Sequence, residues 1–222
     1  MLKSWYCSYF PNDRITIHAS KLASCTGHNP FKEVNEVAAK QAIAALPLEQ
    51  ITKIKNTIDA SFTDSTQAVQ AIKTIEAMEL KDESILAQVT KEVFCKHGTE
   101  KEAAIREAIP ERIKTSNKYR MSALPVITLA SGLEVYIGGK HDGVKEDGSI
   151  VEIKTRQYKF LGVRDYERVQ VHAYMFIFNT RKAQLVENYN GESKTHNVDF
   201  DDVFWGQVEE KLHAFLTSHD IV

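Results

Sequence analysis

Three ionisable side chains interrupt a predicted β-hairpin whose strands are otherwise rich in apolar residues. Residues 139–155, GKHDGVKEDGSIVEIKT, contain two apolar-rich runs on either side of a tight turn. Asp142 lies in the first run, and Glu152 and Lys154 lie in the second. Because successive strand residues point to opposite faces, Glu152 and Lys154 share a face from which Ile153 points away. Two acids and a lysine placed together could hold a hard divalent cation such as Mg²⁺ or Mn²⁺. The lysine could then orient a water or stabilise negative charge at phosphorus.

The register of this hairpin decides whether its two acids can share a cation. A two-residue turn at Asp147-Gly148 would set Asp142 opposite Ile153, and directly opposed residues point to the same face. Asp142 would then point into the core and away from Glu152. A shared cation requires the ladder to slip by one residue, through a longer turn over 146–149 or a bulge. We expect that irregularity in the folded protein.

A solvated surface hairpin is the alternative interpretation of the same residues. For any single Asp or Glu, an exposed charge is the simpler explanation. The joint Asp-x9-Glu-x-Lys spacing fits that explanation less well, although so short a pattern also occurs by chance. A regular hairpin, with Asp142 and Glu152 on opposite faces, would favour the solvated alternative.

The three residues resemble the core of the PD-(D/E)XK nucleases, with Asp142 in the D position and no preceding proline. Further blocks of the sequence resemble the YqaJ-type, lambda-exonuclease-like branch of that superfamily. These blocks are HGTEKEAA at 97–104, QVHAY at 170–174, IHASKLA at 17–23 and GHNPF at 27–31. They follow the family's order along the chain, and their joint occurrence is far more specific than any one of them.

The resemblance implies a role for each residue that matches the family pattern. Asp142 and Glu152 would bind Mg²⁺, for which Mn²⁺ would substitute, together with the backbone carbonyl of Ile153. Lys154 would position or activate the attacking water. Glu102 would reach in from its helix, through water or to a second metal.

Four more residues receive roles farther from the metal. Gln170 and Tyr174 would brace the site or touch the scissile strand. Ser20 falls on a position that contacts a terminal 5′-phosphate in exonucleases of this type, and Arg14 lies near a matching arginine with a spacing one residue off. Gln170 and Tyr174 lie one helical turn apart and could instead pack or cap within their helix. The simpler interpretation of Ser20 is a hydroxyl at the start of a helix.

A metal-dependent deoxyribonuclease is the function that the resemblance implies. The predicted form is a 5′–3′ exonuclease on double-stranded DNA ends in recombination or repair. A structure-specific endonuclease on the same core is one alternative. A weakly catalytic DNA-end-binding module that loads a recombination partner is another, although such a module has no need of the intact acid–acid–lysine set. The resemblance also suggests a trimeric ring and a single-strand annealing recombinase as partner.

The pattern of apolar residues predicts the elements that would position this site. The expected fold is α+β (mixed α/β), with a restriction-endonuclease-like core in which a central mixed sheet is flanked by helices. We expect one domain over 1–222, with a helical region at 15–110, a catalytic sheet with a crossover helix at 123–180, and a C-terminal hairpin and helix at 182–218. Breaks in the helical region are predicted near Leu46-Pro47 and near 62–65, and its end at Pro110. The other predicted elements are a helix at 19–25, strands at 126–129, 133–137 and 150–153, a helix at 164–178, a hairpin around Asn190-Gly191 and a last helix at 201–216.

Composition restricts the classes of protein that fit. The 222 residues are 43% hydrophobic and 26% charged, which suits a globular domain with a sizeable core. No apolar run is long enough to span a bilayer, and no secretory signal is expected at the start. Three widely separated cysteines favour an intracellular protein with reduced thiols over a disulfide framework. Because the net charge is −2, DNA binding would need a local basic groove.

Overall fold

The first of two mixed sheets is built on a parallel pair of strands. The computed structural model describes residues 7–10, 14–31, 35–80, 82–109, 113–115 and 119–218. Strand β2 runs parallel to β5 and antiparallel to β1, while β3 and β4 both pair with β5 in antiparallel fashion. The strands are β1 (Cys7–Phe10), β2 (Arg14–His18), β3 (Arg120–Met121), β4 (Ile127–Thr128) and β5 (Glu134–Gly139).

The second sheet carries the predicted acid–lysine hairpin. Its strands follow the order β6 (Gly143–Val144), β7 (Ile150–Thr155), β8 (Lys182–Tyr189) and β9 (Glu192–Asp199). Strands β7 and β8 are parallel, and the helix α6 (Asp165–Phe178) connects them as the predicted crossover. Asn190 and Gly191 form the predicted tight turn between β8 and β9, with φ angles of 49° and 85°.

Six further helices complete the described part of the chain. The predicted breaks near Leu46-Pro47 and near residues 62–65 are confirmed, and the Asp64 carboxylate caps the following helix by accepting from Gln67 N–H at 2.9 Å. A third break, before Asp82, was not predicted. The predicted end at Pro110 lies outside the described residues. The helices are α1 (Ala19–Cys25), α2 (Glu36–Ala44), α3 (Leu48–Asp59), α4 (Ser65–Glu76), α5 (Glu83–Ala108) and α7 (Asp202–Ser218).

The fold is α+β, but the strands differ from the prediction, and β1 and β3 are not among those predicted. The region predicted as helical from residue 15 begins with strand β2, because Ile15, Thr16 and Ile17 are all buried in a sheet. Two sheets are present in place of one central sheet, because the chain leaves β5 at Gly139 and joins β6 only at Gly143. None of the helices in the described residues combines the length and apolar character that a membrane span requires.

Strand β7 lies between two apolar layers that together position the hairpin. Ile150, on one face, joins the core formed by β2, β5, β8, α1, α6 and α7. Val151 and Ile153, on the other face, pack against Ile105 of α5. Glu152 and Lys154 alternate with Val151 and Ile153, so they share the face of Ile150, and Lys154 contacts Gln170 of α6 there.

Candidate active site

The hairpin has the shifted register that a shared site for Asp142 and Glu152 requires. Gly143 pairs with Val151 across the ladder. The N–H of Lys145 donates to the Ser149 carbonyl at 2.9 Å, so three residues form the turn and the last of them, Gly148, has φ +84°. An L side chain rarely adopts that conformation, which makes glycine the favoured residue there. Continued by one step, this register sets Asp142 opposite Glu152, and the predicted slip by one residue is confirmed.

The carboxylates of Asp142 and Glu152 meet at the end of this ladder. Asp142 Oδ2 accepts from the N–H of Ile153 at 2.7 Å. The Glu152 side chain is 5% exposed, and its Oε2 atom is buried without a hydrogen-bond partner. Burial, and then the negative charge of Glu152, raise the pKa of Asp142 to about 7. The Asp142 carboxyl group therefore keeps its proton to a much higher pH than an ordinary aspartate does.

Lys154 is held as an ammonium ion beside these acids. Its Nζ donates to Glu152 Oε1 at 2.7 Å and to Gln170 Oε1 at 3.0 Å. Burial acts to lower the pKa of Lys154, but the Glu152 and Asp142 carboxylates outweigh it and raise the pKa above its usual value. A lysine in this state can donate hydrogen bonds and stabilise negative charge, but it cannot take a proton from water.

Gln170 and Tyr174 extend the same hydrogen-bond chain along α6. Gln170 Nε2 donates to the Tyr174 hydroxyl at 3.0 Å, and the two residues lie one helical turn apart. Burial, and then the charge of Glu152, raise the pKa of Tyr174 well above 10, so the phenol keeps its proton. A Cβ on Gly139 would lie 2.7 Å from the Tyr174 ring, so glycine is needed where β5 passes beneath it. The structure thus brings both predicted residues to the site.

Glu102 approaches the pair from α5. Its Oε1 accepts from Arg106 Nη2 at 2.6 Å. Burial, followed by the neighbouring charge of Asp142, raises the pKa of Glu102. Asp142 is therefore close enough to both Glu102 and Glu152 for their charges to interact.

The donor set suits a hard divalent cation through a small number of ligands. All candidate ligands are oxygens, which Mg²⁺ and Mn²⁺ prefer, and the unpartnered Glu152 Oε2 atom needs a positive partner. In the part of the chain that the structure describes, no three His, Cys, Asp or Glu side chains are arranged to hold one ion. The available ligands are thus Asp142, Glu152 and the Ile153 carbonyl, while Glu102 is engaged with Arg106.

Ser20 and Arg14, predicted together as a phosphate pocket, lie apart. Ser20 is exposed in the first turn of α1. Arg14 lies at the start of β2, where its Nε is 3.2 Å from Glu134 and its guanidinium stacks over the Tyr136 ring at 5.3 Å. Extended strand of roughly 13 Å separates Arg14 from His18. The structure therefore places Ser20 just after the carboxyl end of β2 and Arg14 at the opposite end of that strand.

A buried ion cluster next to the site was missed by the sequence interpretation. Arg156 is 6% exposed, and it pairs with Glu167 through two hydrogen bonds of 2.6 and 2.9 Å and with Glu187 at 2.5 Å. The Glu187 carboxylate also accepts from the N–H groups of Leu161 and Gly162. The period-2 spacing of Glu152, Lys154 and Arg156 was the available signal, since it places Arg156 on the same side of the strand. The positions of its two acidic partners carry no comparable pattern.

Comparison with known proteins finds similarity in structure alone. No protein-family model matches the chain, and no curated protein matches its sequence. An alkaline exonuclease from Laribacter hongkongensis is similar at 14% identity and a TM-score of 0.47, over 93% of this chain and 88% of that one. The complex of that exonuclease with dAMP gives 14% identity and a TM-score of 0.46, over 92% and 87%. A phage-related exonuclease from Haemophilus somnus 129PT gives 12% identity and a TM-score of 0.49, over 93% and 94%.

These solved structures are exonucleases, the kind of enzyme that the sequence motifs resemble. With identities of 12–14% and TM-scores of 0.49 or less, they carry no argument about the activity of this chain. A functional assignment has to rest on the side chains at the end of β7.

Proposed function

We propose that the chain is a metal-dependent deoxyribonuclease that hydrolyses phosphodiester bonds, acting as an exonuclease on double-stranded DNA ends. The observation that carries this proposal is the meeting of Asp142, Glu152 and the Lys154 ammonium at the end of one hairpin. A solvated hairpin would not bury Glu152 or leave one of its oxygens without a partner. Burying Glu152 in this way lowers the stability of the fold, and a surface that only binds DNA has no need of it.

Each side chain has a defined part in the proposed hydrolysis. Asp142, Glu152 and the Ile153 carbonyl would hold Mg²⁺ or Mn²⁺, which supplies positive charge at phosphorus and a more acidic water. Lys154 keeps its proton and donates to the attacking water or to a phosphate oxygen, whose negative charge grows as the new P–O bond forms and the old one breaks. Gln170 holds the ammonium in that direction by accepting at 3.0 Å.

Linear and circular DNA distinguish the proposal from its alternatives. We expect purified protein with Mg²⁺ to degrade linear duplex to mononucleotides and to leave covalently closed circular duplex intact, because an exonuclease needs an end. Products are measured by acid solubility and by gel, with EDTA as control. Nicking of the circle would favour the structure-specific endonuclease, and end binding without cleavage would favour the recombination module.

Polarity is tested through the terminal phosphate. If Ser20 contacts a 5′-phosphate, as the resemblance implies, 5′-phosphorylated duplex is degraded faster than 5′-hydroxyl duplex, and Ser20→Ala reduces that difference. A difference of roughly 10- to 150-fold is expected at most, because one hydrogen bond to a charged group contributes about 1.5–3 kcal/mol and each 1.4 kcal/mol is tenfold. Ser131→Ala, an exposed serine between β4 and β5, is the matched control. Equal rates on both ends would remove the phosphate contact and leave the nuclease proposal standing.

The finer parts of the prediction rest on the resemblance. These are the 5′–3′ direction, a role in recombination or repair, a single-strand annealing recombinase as partner and a trimeric ring. Sedimentation of the purified protein with and without DNA would test the ring. Co-purification with a candidate recombinase would test the partner.

A further inference from the structure

A groove of about 730 Å³ opens beside the candidate site. It lies between α1, α5 and the segment 155–161 that follows β7. Thr155 and Arg156, which come directly after Lys154 in the chain, form part of its wall. The groove therefore begins at the residues that follow Lys154 in the chain, while Asp142, Glu152 and Lys154 themselves are not among its lining residues.

The charge of the groove differs from that of the whole protein. The chain has a net charge of −2. Among the described residues that line the groove none is acidic, whereas Lys21, Lys91 and Lys159 contribute positive charge. Lys91 is already paired with Glu36 at 2.5 Å, and Lys159 is exposed on the segment after β7. This local excess of positive charge suits a polyanion.

Two aromatic rings stand exposed on this groove. Phe31 is 64% exposed and Tyr158 is 65% exposed, which is unusual for side chains of this size. The Phe31 and Tyr166 rings form a T-shaped pair with centroids 5.6 Å apart, and most of the Phe31 side chain remains exposed. Exposed rings next to lysines are the combination that holds single-stranded nucleic acid, because bases stack on the rings while phosphates meet the cations.

The support of the Tyr158 ring is rigid. Arg156 ties the segment to α6 and β8 through Glu167 and Glu187, and it also donates to the Gly162 carbonyl at 3.0 Å. Phe160 turns inward, where its ring lies 6.0 Å from the Tyr189 ring. The segment is thus fixed on both sides of Tyr158, which reduces the entropy lost when a ligand stacks on it.

We propose that this groove binds an unpaired polynucleotide strand, with its bases stacked on Phe31 and Tyr158 and its backbone along Lys159. The proposal rests on the proposed function, since it gives the unpaired part of a DNA substrate a binding surface that begins at the residues following Lys154. It further implies that a DNA end with an unpaired tail binds better than a blunt one.

Binding without cleavage tests the groove independently of catalysis. A fluorescently labelled single-stranded 20-mer and the corresponding blunt duplex are titrated with protein in EDTA, and anisotropy is recorded. We expect Tyr158→Ala and Phe31→Ala each to weaken single-strand binding by roughly 5- to 100-fold, the range found for loss of one stacked base. Blunt duplex binding should change much less. Tyr158→Phe, which keeps the ring, should retain the affinity of the unchanged protein.

Matched controls separate the groove from general surface effects. Leu124→Ala removes an apolar side chain that is 71% exposed outside the groove, and it should change nothing. The slope of log affinity against log salt concentration reports how many phosphates the protein contacts. Lys159→Ala should reduce this slope for the single strand by the amount of about one phosphate contact, whereas Lys55→Ala on α3 should leave it unchanged.

The proposal is overturned if both ring variants bind the single strand within two-fold of the unchanged protein. It is also overturned if they weaken single strand and blunt duplex equally. Absence of DNA cleavage by a protein that still shows ring-dependent binding would count against the proposed hydrolysis and leave the groove supported.

Discussion

Alanine at Asp142, Glu152 or Lys154 lowers the rate of DNA cleavage by about 100-fold or more, while the protein remains folded. Each change removes a polar group of the site and little apolar area, because the neighbouring Val151 and Ile153 supply the packing of β7. Cleavage of linear duplex is measured under single-turnover conditions, and circular dichroism checks the fold.

Two exposed residues nearby provide controls of the same charge. Glu146→Ala removes an acid from the turn of the same hairpin, and Lys182→Ala removes a lysine from the adjacent strand β8. Both should cleave at nearly the unchanged rate. Near-normal activity of Asp142→Ala, Glu152→Ala or Lys154→Ala would exclude that residue from the site, and near-normal activity of all three would return the hairpin to a solvated surface.

Asp142→Asn, by contrast, makes the cation-free protein more stable at pH 8. The pKa of Asp142 is about 7 in the folded chain, against 3.8 for an ordinary aspartate. As the pH rises from about 4 to about 7, the unfolded state releases a proton that the folded state keeps, so the free energy of unfolding falls. The free energy of unfolding falls by about 4 kcal/mol at most between pH 4 and pH 7, and this contribution does not change further above about pH 7. Asparagine has no such proton to lose.

Urea unfolding in EDTA between pH 4.5 and pH 8 measures this effect. The unchanged protein should lose stability across the window and the Asp142→Asn variant should lose less. Asp199→Asn, which alters an exposed acid on β9, is the control. Addition of Mg²⁺ should restore stability at pH 8 to the unchanged protein and much less to Asp142→Asn. Parallel pH curves for the two proteins would contradict the burial of charge at Asp142.

Most helices and the strands β7, β8 and β9 could be predicted because their signals are local, whereas their separation into a second sheet could not. The turn at Asn190-Gly191, the cap at Asp64 and the crossover helix before β8 each depend on residues within one or two turns of chain. Strand β2 shows the limit. Its Ile15-Thr16-Ile17 alternation is short, and only its pairing with β1 and β5 identifies it as a strand.

The sequence by itself determined which residues could form the site, and the tertiary structure decided which of them meet. Asp142, Glu152 and Lys154 belong to one hairpin, so a pattern of period two and a turn could place them together. Gln170, Tyr174 and Glu102 lie on two separate helices, and the packing of α5 and α6 around β7 brings them to the site. Arg14 and Ser20 are close in sequence, yet extended strand separates them. The partners of Arg156 could not be predicted, because a buried ion pair between distant segments is set by the final packing and leaves no local pattern.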